Sequence, residues 1–333
     1  MNPPLDRATV IGAGAMGTLC ATLLADRGVR VVLWGRSPQL IEAINTKRRN
    51  ERYLPERSLP ELITATCDVR EALAAPQLIV SAIPCQFTRE VWTELSGHSL
   101  PRAPIVSVAK GIEVGTLLRP TQILTQTIGD VVVSALSGPS IAGEVAAGLP
   151  ATVVVAGDTP ESAALVQNAM SSPTFRIYTN TDLIGVELGG AVKNVIGITA
   201  GIGDGVGIGT NAKAGLLTRG LVEITRLGLA LGAKADTFRG LAGIGDLITT
   251  CISPVSRNRS AGEKIGRGMP LDEVIETSHG VIEGIDSTRS ILQLAERNHV
   301  DMPITRAVHD VLFDNRSPKS AIDDLMTRQL KHE

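Results

Sequence analysis

The sequence predicts an α/β fold followed by an all-helical one, and three observations carry the expectation. Short β-branched runs alternate with helical stretches as far as Thr179. Strand-like runs stop after Asp182. A glycine-rich turn lies between the first run and the first helical stretch. The runs occupy residues 8–11, 30–34, 62–66, 78–83, 105–109, 131–137, 152–156 and 176–179. Near-continuous apolar strands separated by helices imply a largely parallel sheet covered on both faces. Helical periodicity broken by Gly and Pro then occupies 213–231, 271–276, 284–298 and 305–313.

Gly12-Ala13-Gly14-Ala15-Met16-Gly17 fits G-x-G-x-x-G between the first strand and a helical run. In that setting the glycines allow a tight turn, a close approach of backbone to pyrophosphate, and close packing of helix on sheet. The free N–H groups and positive dipole of the helix N-terminus then face the phosphates. The first 181 residues are therefore expected to form a Rossmann-type, doubly wound dinucleotide-binding domain, and residues 182–333 an all-helical substrate-binding domain.

An acid that binds the ribose hydroxyls of NAD(H) is expected at the end of the second strand, but the chain reads Val32-Leu33-Trp34-Gly35-Arg36. Gly35 omits the carboxylate that would repel a 2′-phosphate, and Arg36 supplies a planar cation suited to one. NADP(H) is expected to be accepted alongside NAD(H). The basic run Lys47, Arg48, Arg49 and Arg52 offers two readings, assistance to Arg36 nearby or a solvated helix face, and the second is favoured.

Composition narrows the partners. Thirty-two Lys and Arg against 34 Asp and Glu leave a net charge of −2, which gives no grip on nucleic acid. Aromatics are 2% of the chain, too few for a surface that stacks bases or sugars. The uninterrupted apolar runs fall short of a membrane span, and residues 1–7 carry no apolar leader, so a cytoplasmic protein is expected. Cys20, Cys67, Cys85 and Cys251 form no C-x-x-C pair. The five histidines show no i, i+4 pairing, and no metal is expected.

Polar groups cluster at the ends of later elements. Lys110-Gly111 follows one strand, and Ser137-Gly138-Pro139-Ser140 the next, both at the sheet edge where open α/β folds bind ligands. Gly185, Gly189, Lys193, Gly197 and Gly201 are spaced by four, a row on one helical face. Each interior glycine costs a helix roughly 0.5–1 kcal/mol against Ala, so the row implies a close neighbour. Lys193, within it, is set against apolar surroundings that disfavour its charge and bring its proton into play near neutral pH. Gly243-Ile244-Gly245-Asp246-Leu247 places a carboxylate in an apolar turn, and Ser256-Arg257-Asn258 combines a hydroxyl, a guanidinium and an amide suited to a phosphoryl group.

These stretches together, with Asn50-Glu51-Arg52-Tyr53-Leu54-Pro55, Gly189-Gly190-Ala191-Val192-Lys193-Asn194 and Val281-Ile282-Glu283-Gly284, resemble bacterial NAD(P)-dependent glycerol-3-phosphate dehydrogenase over nearly the whole chain. The resemblance implies reduction of dihydroxyacetone phosphate to sn-glycerol 3-phosphate for phospholipid synthesis, with Lys193 moving the proton and Asp246 beside it. It implies that Lys110, Gly138, Ser140, Asp246, Ser256, Arg257 and Asn258 line the substrate. It further implies that Ala15, Met16, Arg36, Lys110, Ala142, Arg257, Val281 and Glu283 touch the cofactor, and that the enzyme is a homodimer. Where the family usually has a hydroxyl residue and an aromatic, this chain has Ala15 and Met16. Two alternatives are a related reductase of the β-hydroxyacid dehydrogenase or ketopantoate reductase type and a catalytically silent NADPH sensor; neither requires the whole set of Lys193, Asp246 and the Ser-Arg-Asn cluster.

Overall fold

The computed structural model describes residues 5–278, 280–330 and 332; residues 1–4, at the start of the segment read for a targeting signal, and His279 lie outside the described residues. The chain divides into two compact units, Met1–Ala109 with Arg119–Val186, and Lys110–Leu118 with Glu187–Glu333.

The first unit contains ten strands: β1 (Arg7–Ile11), β2 (Arg30–Trp34), β3 (Arg49–Asn50), β4 (Leu54–Ser58), β5 (Ile63–Thr66), β6 (Leu78–Ser81), β7 (Ile105–Ser107), β8 (Val133–Ser137), β9 (Ala151–Gly157) and β10 (Phe175–Asn180). Eight form one sheet in the order β10-β9-β8-β7-β6-β1-β2-β5, parallel throughout except for the β8–β9 pair. The sheet is buried on both sides. Val10, Leu33, Val80 and Val106 belong to one apolar cluster, and Ile11, Trp34, Ile79 and Ile105 to the other. Alternation along the strands thus feeds two layers, as expected of a parallel sheet between helices. The chain runs from β1 to β2 on one side and later to β6 on the other, so the order reverses at β1, where the glycine-rich turn begins.

One sequence expectation fails here. The basic run is not a helix face, because the Pro38–Lys47 helix ends at Arg48 in the left-handed region (φ 50°), and Arg49 starts the antiparallel β3–β4 hairpin. The Arg48 guanidinium turns inward and donates to the carbonyls of Ile63 and Pro60. Charge composition gave no sign of this local reversal.

Among the described residues no strand follows Asn180. The second unit is helical, with Gly209–Ala230, Asp246–Ile252, Arg257–Gly266, Glu283–Arg297 and Pro303–Phe313 around the long Leu183–Val206 helix, which enters from the first unit. That helix is apolar and long enough to cross a bilayer, although counting uninterrupted apolar runs missed it. Its most apolar stretch is 83% buried in protein, the state of a core helix. Its glycine row has the predicted close neighbour. A Cβ at Gly189 would strike the Ala242 carbonyl, and one at Gly201 the Arg259 carbonyl. Gly262 reciprocates against the Ile198 carbonyl, so backbone packs on backbone.

Candidate active site

In the first unit the turn after β1 has the geometry its glycines predict. Gly12 adopts φ 114°, and a Cβ there would lie 2.7 Å from the Ala82 carbonyl oxygen. A Cβ at Gly17 would strike the Gly12 carbonyl, while the side of Gly14 is open. Gly14 caps the Ala15–Asp26 helix, whose first turn, including Ala15 and Met16, contains no acidic residue. Free N–H groups, a positive dipole and no competing carboxylate suit an anionic pyrophosphate.

Arg36 follows β2 as predicted, but its guanidinium is engaged. It donates to Glu90 and Glu94, each at 2.9 Å, on the Cys85–Ser96 helix. Gly138 adopts φ 125° just after β8, where a Cβ would lie 3.0 Å from the Val153 Cα. Ser140 Oγ donates to the Gly138 carbonyl at 3.1 Å, and Ala142 opens the short Ala142–Ala146 helix.

The second unit gathers the ionisable groups. Leu241–Gly245 is a single π-helical turn, closed by Gly245 N–H donating to the Gly240 carbonyl at 3.2 Å, and it runs directly into the Asp246–Ile252 helix. The sequence predicts an apolar, glycine-flanked turn here, not a helical segment. The wider π turn fits because Gly243 has no Cβ to strike the Phe238 backbone, and because Gly189 lets the Ala242 carbonyl reach the long helix. The result sets Asp246 beside Lys193. Lys193 Nζ lies 3.0 Å from Asp246 Oδ1 and donates to Thr250 Oγ1 at 2.6 Å, while Lys110 Nζ donates to Asp246 Oδ2 at 2.5 Å. Lys193 and Asp246 are buried, at 7% and 2% exposure.

One carboxylate thus bridges two ammonium groups. Burial pushes the Asp246 carboxyl up, and Lys110 and Lys193 more than reverse it, leaving the group below the usual carboxylate range. Burial lowers the Lys193 pKa, and the nearby Lys110 adds to the fall. Asp246 only partly offsets this. The direction for Lys193 is therefore downward, with Asp246 opposing the fall.

Around this cluster Asn194 Nδ2 donates to the Lys110 carbonyl at 3.3 Å, and its Oδ1 accepts from Asn258 Nδ2 at 2.9 Å. Asn258 Oδ1 in turn accepts the Gly284 N–H at 3.0 Å. Ser256 caps the Arg257–Gly266 helix by accepting the Arg259 N–H, so its oxygen is structural while its hydroxyl proton stays available for donation. Arg257 Nη1 donates to the Val281 carbonyl at 2.7 Å, which joins the guanidinium to the Val281–Glu283 segment. Burial raises the Glu283 carboxyl even though Arg257, Lys193 and Lys110 lower it.

Sequence reasoning missed Thr250 and the part played by Asn194. Thr250 was legible as the i+4 neighbour of Asp246 on a helical face, had the segment been read as helix. It also missed the approach of His309 Nδ1 to Asp314 (3.4 Å) and Asp310 (3.6 Å), a grouping in which Arg316 already pairs with Asp310.

A glycine-turn dinucleotide fold together with a helical unit holding a buried lysine–carboxylate cluster defines a two-domain dehydrogenase. The family described as NAD-dependent glycerol-3-phosphate dehydrogenase matches twice, its N-terminus over residues 7–163 and its C-terminus over 182–323, and the chain belongs to that family. It is 47% identical over 328 residues to glycerol-3-phosphate dehydrogenase (NAD(P)+) 2 of Salinibacter ruber, covering 98% of this chain and 95% of that one. It is 47% identical over 332 residues to the glycerol-3-phosphate dehydrogenase (NAD(P)+) of Thermobifida fusca, covering 99% of each. The crystal structure of the Coxiella burnetii glycerol-3-phosphate dehydrogenase superposes with a TM-score of 0.94 at 36% identity, over 98% of this chain and 100% of that one. A ketopantoate reductase from Ralstonia eutropha shares the fold alone, with a TM-score of 0.59 at 15% identity.

Proposed function

We propose that the chain interconverts dihydroxyacetone phosphate and sn-glycerol 3-phosphate with NADPH or NADH, supplying the glycerol phosphate backbone of phospholipids, and that Lys193 handles the proton. The enzyme class and the use of NAD or NADP are those of the family. The observation that carries the residue assignment is the Lys193–Asp246–Lys110 bridge, with Lys193 and Asp246 buried.

A dinucleotide held at the Gly12–Gly17 turn would supply the hydride. As negative charge develops on the ketone oxygen, the Lys193 ammonium stabilises it and hands over a proton. In the reverse direction the neutral amine accepts the hydroxyl proton. Asp246 holds both lysines in place and partly offsets the lowering of the Lys193 pKa by burial. Arg257, Asn258 and the Ser256 hydroxyl proton, at the start of one helix, are assigned to the substrate phosphate, which a helix N-terminus also favours. Gly12, Gly14, Ala15, Met16 and Gly17 are assigned to the pyrophosphate, and Arg36 to the adenosine end.

The proposal extends to a cytoplasmic homodimer, in keeping with the family resemblance. The test is oxidation of NADPH and NADH with dihydroxyacetone phosphate and, in parallel, with ketopantoate. Turnover of the first ketone alone is the expected result, and turnover of ketopantoate alone overturns the reading.

A further inference from the structure

Asn50 is a polar residue with no solvent exposure, and its side chain makes three hydrogen bonds. Its Nδ2 donates to the Ala13 carbonyl at 3.0 Å and to the Thr18 hydroxyl at 2.7 Å, and its Oδ1 accepts the Tyr53 N–H at 3.3 Å. Two donors and an acceptor on so short a stem are what an asparagine offers. An ionised aspartate has no donor, and a serine has one. The side chain thereby ties the β3–β4 hairpin to the glycine turn and to the first turns of the Ala15–Asp26 helix.

The contact with Ala13 has a geometric consequence. The peptides of the described residues are all trans, and in a trans peptide the C=O and N–H point in opposite directions. With the Ala13 oxygen turned inward onto Asn50, the N–H of the same peptide, that of Gly14, must point outward. It emerges at the cap of the helix, where the side of Gly14 is open. A rotation of this peptide would present a carbonyl oxygen to an anion in place of a donor. We propose that Asn50 is a positioning residue for the dinucleotide, fixing the Ala13–Gly14 peptide so that its N–H faces the pyrophosphate. The proposal rests on the reading of Gly12–Gly17 as the pyrophosphate site.

The experiment measures NADPH affinity by fluorescence, the KM values for NADPH and dihydroxyacetone phosphate, and the thermal midpoint, for the parent, Asn50→Asp, Asn50→Ala, Thr18→Val and Gly14→Glu. Both Asn50 variants are expected to weaken NADPH about tenfold or more, with KM for dihydroxyacetone phosphate and saturated turnover nearly unchanged. The Asn50→Asp variant should regain affinity as pH falls, because its protonated carboxyl can again donate to the Ala13 oxygen. Thr18→Val keeps that contact and should stay within about threefold of the parent. If Asn50→Asp does not fold, Asn50→Ala is read alone by the same split between the two KM values. NADPH affinity within twofold of the parent in a folded Asn50 variant overturns the proposal. So does a loss shared equally by both KM values alongside a lower midpoint. Gly14→Glu separates the two levels: unchanged NADPH affinity there removes the pyrophosphate reading itself, whereas loss there with none at Asn50 removes only the positioning role.

Discussion

The Asp246 carboxylate spans Lys193 and Lys110, one oxygen 3.0 Å from the first ammonium and the other 2.5 Å from the second. An isolated carboxylate at this depth would be pushed up by burial, but the two lysines around Asp246 hold it below its usual range. The bridge also links the pH dependence of Lys193 to Asp246. Burial lowers the lysine and Asp246 raises it, so Asp246→Asn should lower it further. Reduction needs the protonated lysine, and the alkaline limb of saturated turnover should therefore move to lower pH in Asp246→Asn. Rate profiles with dihydroxyacetone phosphate check this, and an unmoved limb would show that Asp246 does not set the charge of Lys193.

Cofactor choice should respond to Arg36 and to the acids that hold it. Arg36→Ala is expected to raise the KM for NADPH about tenfold, well beyond its effect on NADH, through loss of a charge-assisted contact. Glu90 and Glu94 hold the same guanidinium that is assigned to a 2′-phosphate and would compete for it. The double change Glu90→Gln with Glu94→Gln should shift preference the opposite way, toward NADPH. Steady-state KM ratios for the two cofactors decide the matter, and equal changes for both in each variant would remove Arg36 from cofactor selection.

Asn258→Ala is expected to weaken dihydroxyacetone phosphate while leaving any activity on unphosphorylated dihydroxyacetone nearly as it was. It also strips a partner from the Gly284 N–H and from Asn194, a loss of about 1–3 kcal/mol that should lower the thermal midpoint by several degrees. Kinetics on both ketones, with calorimetry beside them, separate the two effects. Parallel losses on the two ketones would assign Asn258 to structure alone.

Away from the site, the buried Glu223 accepts the N–H groups of Ile304 and Thr305 and the Thr305 hydroxyl at the start of the Pro303–Phe313 helix. Burial pushes its carboxyl up to about 7, from 4.5, against those bonds. A carboxyl raised in the folded state keeps its proton after the unfolded chain has lost its own. The associated stability is therefore full below about pH 4.5, declines as pH rises to about 7 and is flat above. Glu223→Gln has no such decline, so its thermal midpoint should gain on the parent's across that window. A constant difference from pH 5 to pH 8 would contradict the assignment.

The sheet was legible because burial on both faces leaves apolar runs that no other element explains. The glycine turn was legible because its position between strand and helix restricts what it can do. The row from Gly189 to Gly201 announced a close neighbour, but periodicity cannot say which backbone approaches, and the partners at Ala242 and Arg259 lie more than 50 residues away in sequence. Thr250 was hidden because two glycines made a helical segment look like a loop. Asn50 opens a family-like motif, yet its role depends on a hairpin that a two-residue strand barely marks.

The most direct test of the central claim is saturated turnover of Lys193→Met, which removes the charge and the proton while keeping approximate bulk. With NADPH binding verified by fluorescence and dihydroxyacetone phosphate at saturation, turnover should fall by about 10² to 10³ or more. A variant that binds NADPH normally and turns over within a few-fold of the parent would show that another group supplies the proton.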